Sequence, residues 1–266
     1  MLQMLNSGGR FTGADEAEQN HALAEIALTA YAERSRWMTQ NFQSKFTPES
    51  LLESSIIDTA MLNYSSSRHL SPKSFRPEPR PTPENPSATS FIVVDRFGMA
   101  VTCAFTMNNV FGTGRIAKDT GIMIAAIPNG GGRGPMSLGP MMIVNEKSNQ
   151  FVLAGAASGG VTAPTSLAAV VARSYFASQF LATAIRAPRV HHSGAPDVTY
   201  YESSMPAGII SSLRQRGHRV SATPKIGLVN VAYCNGGLPR DPESCVLLND
   251  PRGNGLSVNA VADLEK

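Results

Sequence analysis

The sequence predicts an α+β protein, and three observations carry that reading. Apolar residues recur at helical spacing within the first sixty residues, two β-rich runs flank the turn Arg96-Phe97-Gly98, and strand-like and helix-like runs alternate beyond Phe91. The length of 266 residues suits one large or two small domains, and 42% hydrophobic residues is enough for a sizeable core. A net charge of +3 without a long basic run points away from a nucleic-acid surface. No apolar run reaches the length of a membrane span. The segment Met1 to Arg10 lacks the basic start and long apolar core of a signal peptide.

Taken in order, Ala14 to Met38 reads as an amphipathic helix. Ala22, Leu23, Ile26, Ala27, Ala30 and Tyr31 recur near the 3.6 period, and Asp15 or Thr12 can cap it. Thr47 to Leu62 reads as a second helix, with Pro48 early, where a missing N–H does no harm. Tyr64 to Pro86 is rich in Pro and Ser and poor in apolar residues, so it reads as an exposed linker. A hydrophobic strand begins near Phe91, and a second, Met99 to Thr106, follows the turn. Ile116 to Ala126 is strand-like, and Asn129 to Pro135 is a glycine-rich loop. Met141–Asn145 and Phe151–Leu153 are strands around a turn at Glu146–Asn149. A small-residue helix spans Pro164 to Leu181, Ala187 to His192 is extended, and Pro206 to Arg216 is a helix closed by Gly217. The last strands run through Gly227–Tyr233 and Cys245–Leu248. Of three cysteines, Cys103 reads as a core residue, while Cys234 and Cys245, eleven apart, are placed to bridge a hairpin.

The candidate chemistry sits where the Pro-rich run gives way to the strand at Ala88-Thr-Ser-Phe91. A loop that ends in a strand carrying small hydroxyl residues is where N-terminal-nucleophile hydrolases place a Thr, Ser or Cys, whose freed α-amine serves as base. This run resembles the start of the small subunit of γ-glutamyltransferases, which read Thr-Thr-His/Ser-Tyr/Phe, then an apolar run and Asp. Further blocks carry the resemblance from Leu2 to Arg252: the helix through Leu23 to Trp37, Thr106-Met-Asn108, Phe111-Gly-Thr-Gly114, Ser137-Leu-Gly-Pro140, Gly155-Ala-Ala-Ser-Gly-Gly160, Ala187-Pro-Arg-Val-His-His192 and Asp250-Pro-Arg252.

The resemblance implies a four-layer αββα sandwich of the N-terminal-nucleophile type, present in part. It divides the chain into 1–63, like the end of the large subunit; 64–87, the linker at the processing junction; and 88–266, like the small subunit. It implies γ-glutamyl amides such as glutathione as substrates, no cofactor, and a periplasmic or secreted location in bacteria. By resemblance Thr106 supports the nucleophile, Asn108 and Ser137 hold the substrate, and Gly159 and Gly160 present N–H groups to an oxyanion. A neutral Asn suits a zwitterion because it both donates and accepts. The Ala-Pro-Arg-Val-His-His and Asp-Pro-Arg blocks read as structural. No metal site is expected, because the five His show no helical pairing with carboxylates.

Three departures qualify the activity. Ala88 occupies the nucleophile position, and a methyl group attacks no carbonyl. Thr89 faces the opposite side of the strand and substitutes only if the strand slips by one residue. Ala125-Ala-Ile-Pro-Asn-Gly130 stands where the family keeps the acidic residues that grip the glutamyl amine. Finally, the 87 residues before Ala88 are far fewer than a large subunit, so missing strands would expose edges and invite self-association or a partner chain. The reading is therefore a γ-glutamyltransferase or glutathione hydrolase relative impaired at its nucleophile. The alternatives are a non-catalytic binding scaffold and an acylase of different acyl specificity.

Overall fold

The computed structural model describes residues 1–37, 39, 43–72, 88–127 and 138–259. The chain begins with α1 (Leu2–Asn6), α2 (Glu16–Trp37), α3 (Pro48–Leu51) and α4 (Ser54–Met61). Asp15 caps α2, its carboxylate accepting the Glu18 N–H at 2.8 Å. The amphipathic expectation for this helix does not hold. Every residue from Gln19 to Thr29 is buried, so the helix runs through the core rather than presenting one face to it. The single helix expected over 47–62 is two short ones, because the chain turns extended at Glu53 (φ −59°, ψ 135°). Thr47 caps the first piece by accepting the Ser50 N–H.

There follow β1 (Ala88–Val94), β2 (Ala100–Thr106), β3 (Met141–Asn145), β4 (Gln150–Ser158), α5 (Thr162–Val171), α6 (Leu181–Arg186), β5 (Val190–His191), β6 (Thr199–Glu202), α7 (Ala207–Gln215), β7 (Val220–Thr223), β8 (Leu228–Leu238) and β9 (Cys245–Leu248). β1 and β2 form an antiparallel hairpin with Ala88 opposite Thr106. A second, antiparallel sheet has the order β3-β4-β8-β9. A third, β5-β6-β7, pairs β6 with β7 in parallel.

The hairpin packs on one face of the four-stranded sheet. Ile92, Val94 and Ala100 meet Phe151, Ala154, Ala232 and Leu238 there. Thr102 Oγ1 donates to Gly155 O at 3.2 Å, and the Asn230 amide donates to Ser90 O and Oγ across the same gap. On the opposite face α5 and α6 place Leu167, Val170, Val171, Leu181 and Ile185 against Leu153, Ala157, Val229 and Val231. Each such side chain, fully buried, stabilises the fold by about 1.5–3 kcal/mol relative to exposure. α5 lies so close that a Cβ on Gly155 would sit 2.7 Å from Leu167 Cδ1. The order of layers is thus sheet, sheet, helix. The outer face of the hairpin leaves Phe91, Val93, Val101 and Phe105 exposed.

Several expectations change. Ile116 to Ala126 forms no strand: Asp119 and Gly121 take left-handed conformations and fold it back, leaving one bridge between Ile116 and Met123. The helix expected over 164–181 passes from α5 into a π-helical turn at Ala172–Phe176 and breaks at Ser178 (φ 54°) before α6. Cys234 and Cys245 face each other on β8 and β9 and are bonded, as their spacing allowed. Cys103 is a free thiol and only half-buried rather than a core residue. The start of the supposed exposed linker is packed down, with the His69 side chain 8% exposed. Residues 73–87 and the glycine-rich loop 129–135 lie outside the described residues.

Candidate functional site

A cleft of about 470 Å³ has Ala88, the first residue of β1, in its wall. Around it stand Ser158, Gly159, Thr162, His191, Tyr200, Thr223, Lys225 and Gly227. The ends of the two central strands build one side, since Ser158 of β4 pairs with Leu228 of β8. Beyond them the backbone crosses itself at two glycines. Gly159 has φ 127°, and a Cβ there would lie 2.8 Å from Gly227 Cα. Gly227 has φ 62°, and its Cβ would lie 2.2 Å from Ser166 Oγ. Side chains at these positions would push the strand end and the 226–228 turn apart.

That turn is held from behind by buried charge. Arg189 donates to Ile226 O and Gly227 O and pairs with Asp250 at 2.7 Å. Asp250 accepts the Val229 N–H, Glu202 accepts the Ile226 N–H at 2.7 Å, and Arg252 joins Glu202 (2.6 Å) to Asp250 (3.2 Å). Burial pulls the Arg189 guanidinium below its usual range, while Asp250 works to raise it. The Ala-Pro-Arg and Asp-Pro-Arg blocks are therefore two halves of one clamp under the cleft, which is the structural role read for them.

His191 also lines the cleft. Its Nδ1 lies 2.9 Å from Thr165 Oγ1, whose own proton goes to Thr162 O. His191 therefore donates from Nδ1, and Nε2 is left as a buried acceptor with no hydrogen-bond partner among the described residues. Burial first, and His192 second, push its pKa down to about 3, so the ring is neutral. α2 reaches this wall as well, through the Tyr31 hydroxyl donating to Val161 O.

Of the residues singled out in the sequence, Ala88 and Gly159 share the cleft, and Gly160 stands beside Gly159 with φ 63° outside its wall. Thr106 faces Ala88 across the hairpin, and its hydroxyl accepts the Asn108 N–H at 3.0 Å. Asn108 is left-handed (φ 56°) and its amide donates to Ala126 O at 2.8 Å, which anchors the returning 122–127 segment. Thr89 is exposed on the face of β1 away from Ala88. Ser137 lies outside the described residues. Sequence reasoning passed over Tyr200, Thr223 and Lys225, which sit in short polar segments without a motif. It noted His191 only within a block read as structural.

Behind this wall lies a second constellation. His21 Nδ1 and His218 Nε2 are 2.8 Å apart, and His69 sets Nδ1 2.6 Å from Glu25 Oε1 and Nε2 2.9 Å from Asp197 Oδ1. His192 Nε2 is 3.4 Å from the same Asp197 oxygen. The expectation that no His pairs with a carboxylate along a helix is corrected here. His21 and Glu25 are one turn apart on α2, which is the i, i+4 relation. The pair was hidden because the apolar period of the helix was read as its only buried face. Burial lowers the pKa of His21 and, with His69 opposing its charge, brings His218 to about 2. At His69 burial also works downward, but the hydrogen bonds to Glu25 and Asp197 outweigh it and hold the imidazolium above its usual range.

The sequence pattern of the gamma-glutamyltranspeptidase family matches residues 1–126 and 125–259. Glutathione hydrolase proenzyme of Escherichia coli is 24% identical over 85% of this chain and 43% of its own length. Glutathione hydrolase of Aspergillus flavus is 23% identical over 80% and 40%. The chain thus spans less than half the length of these relatives. Among solved structures, gamma-glutamyltranspeptidase from Pseudomonas nitroreducens complexed with L-DON superposes with a TM-score of 0.53 at 24% identity, covering 65% of this chain and 99% of that one. Cephalosporin acylase from Bacillus halodurans superposes with a TM-score of 0.72 at 19% identity, covering 94% and 47%. These two likenesses show the fold.

Proposed function

Because the chain belongs to the γ-glutamyltranspeptidase family, we propose that its cleft is a γ-glutamyl site whose nucleophile position is vacant, so that it binds compounds such as glutathione without forming an acyl-enzyme. The single observation that carries this reading is the Ala88 methyl in the wall of the cleft, at the first residue of β1. Transfer by the covalent route needs an oxygen there to attack the amide carbonyl, expel the amine and hold the glutamyl group until water or a second amine takes it. A methyl group has no lone pair to begin that sequence. Other features support binding. The volume falls within the roughly 300–1,000 Å³ usual for small-molecule sites. Lys225 offers a cation to an α-carboxylate, and no carboxylate stands among the described residues of the wall.

Five further assignments belong to this reading. Thr106 would support a hydroxyl restored at position 88. Gly159 and Gly160 would face the oxyanion, and Asn108 and Ser137 would hold the substrate's polar end. The sheet-sheet-helix packing would be three layers of a four-layer αββα sandwich, with a helical layer over Phe91, Val93, Val101 and Phe105. The segments 1–63, 64–87 and 88–266 would correspond to the end of a large subunit, a junction and a small subunit.

The test compares the chain with Ala88→Thr. The unaltered chain should keep its full mass on long incubation, bind glutathione by calorimetry and release no chromophore from a γ-glutamyl anilide. Ala88→Thr should show some cleavage before residue 88 but little transfer, because the family's acidic grip is absent from 125–130. Robust release by the unaltered chain overturns the reading. Cleavage before Thr89 instead would make that residue the nucleophile. The loss of that grip also favours a second reading, an acylase of other N-acyl amides. Ala88→Thr acting on non-glutamyl anilides in preference to γ-glutamyl ones would establish it.

A further inference from the structure

The histidine and carboxylate constellation behind the cleft plays no part in the site proposed above. His21, Glu25 and His218, all buried, each bring one ligand atom within 4.8 Å of the others; His218 Nε2 is 2.8 Å from His21 Nδ1 and 3.6 Å from Glu25 Oε1. His69 stands beside them as the candidate fourth ligand, with Nδ1 2.6 Å from Glu25 Oε1 and its ring centre 4.4 Å from that of His218, and it also joins His192 and Asp197 in an adjoining group. From these residues we infer a closed site for one divalent transition-metal ion of the zinc class.

Each ligand atom has a polar group standing behind it. Metal-bound imidazoles give their second nitrogen to a carboxylate, carbonyl or other polar group, which fixes ring and tautomer. Here the His21 Nε2–H donates to Ser65 O at 2.8 Å. His218 Nδ1 meets Thr199 Oγ1 at 2.8 Å, and the His69 Nε2–H donates to Asp197 at 2.9 Å. The second oxygen of Glu25 accepts the Leu70 N–H at 2.8 Å. Every ligand is therefore braced, and each brace leaves its other atom for the common centre. Three nitrogens and one carboxylate oxygen are a donor set for zinc, not for calcium or magnesium.

Charge supports the same reading. Glu25 and Asp197 bring two negative charges to the cluster, and His69, donating from both nitrogens, returns one. A divalent ion with neutral imidazoles balances both carboxylates. The ion displaces the Nδ1 proton of His69 to solvent, and His218 changes tautomer so that Nδ1–H turns to Thr199. The His21 and His218 nitrogens, 2.8 Å apart, must separate by roughly half an ångström in all to sit around an ion with bonds of about 2.0–2.1 Å. The ion would join three distant pieces of chain: α2, the stretch before residue 73, and the turn after α7.

The experiment uses the full chain, stripped with a chelator and then exposed to zinc or cobalt alone. Expected results are one zinc retained per chain after gel filtration and visible cobalt bands of tetrahedral intensity. Melting temperature should rise with zinc concentration, with about one proton released per ion bound. His21→Gln combined with His218→Gln should abolish these responses. Asp197→Asn should weaken zinc binding roughly 10–100-fold. A chain that retains no zinc, gives no cobalt bands and melts at one temperature throughout overturns the proposal and leaves a proton-filled hydrogen-bond network. Zinc held equally well by the double variant overturns the assignment of ligands. If the double variant does not fold, stoichiometry and cobalt bands of the unaltered chain decide. None of these outcomes depends on Ala88 or on catalysis.

Discussion

The smallest features of the cleft are the two glycines that pass each other at its back. Gly227→Ala places a Cβ 2.2 Å from Ser166 Oγ at a left-handed φ, and should cost about 1–3 kcal/mol in urea unfolding. Adding Ser166→Ala should recover part of the loss; no recovery would show that backbone strain, not the contact, sets the cost. His191 makes a pH prediction. Its pKa is near 3 when folded and about 6.5 when unfolded, so the unfolded chain binds the extra proton between those values. Stability should be flat above pH 6.5 and fall by up to about 4 kcal/mol as pH drops towards 3. His191→Gln should remove that share of the slope and leave the part that belongs to the buried His192 and His218. An unchanged slope would assign the acid sensitivity to other groups.

Among elements, local chemistry was legible wherever one residue decides the geometry. Gly217 with φ 95° closes α7, and its N–H and that of His218 return to Arg214 O and Leu213 O. The same closure delivers His218 to His21, which no local signal announces. Asp15, Thr47 and Pro48 likewise do at helix starts what their types allow. The spacing of Cys234 and Cys245 indicated their bond, and replacing both with Ser should cost about 2–3 kcal/mol for a loop of this length. A denaturation midpoint that does not move would show that the β8–β9 pairing carries itself. β6 and β7 were not legible, because four residues of mixed polarity show no alternation. The break of the α5 helix at Ser178 was also invisible, since the surrounding residues would have continued it.

At the scale of the whole molecule, long-range polar contacts organise the fold, and these are what a linear reading loses. Arg189 and Asp250 were each legible as members of a motif, but their 2.7 Å contact is not a property of either motif. Asp250→Asn should leave a buried guanidinium under-compensated and cost roughly 3–5 kcal/mol. It should also loosen the cleft, read as faster hydrogen exchange at Ile226 and Val229. Exchange that quickens everywhere equally would make the clamp a general rather than a local support. The candidate site was half legible: the strand start at Ala88 and the glycine at 159 stand in motifs, whereas Lys225 and Tyr200 reach the cleft only through folding.

The burial of α2 has a consequence in time. His21 and His218 are separated by 197 residues. With synthesis at roughly 5–20 residues per second, the second leaves the ribosome roughly 10–40 s after the first. For much of that interval a helix destined for the interior lacks the partners it meets at Ala169, Val190, Ile209 and Leu213. Its apolar residues are open to chaperones and to other nascent chains, and its polar ones are still hydrated. Completion of this fold therefore waits on the last fifth of the chain, and ribosome-bound intermediates ending before residue 218 should be protease-sensitive in α2.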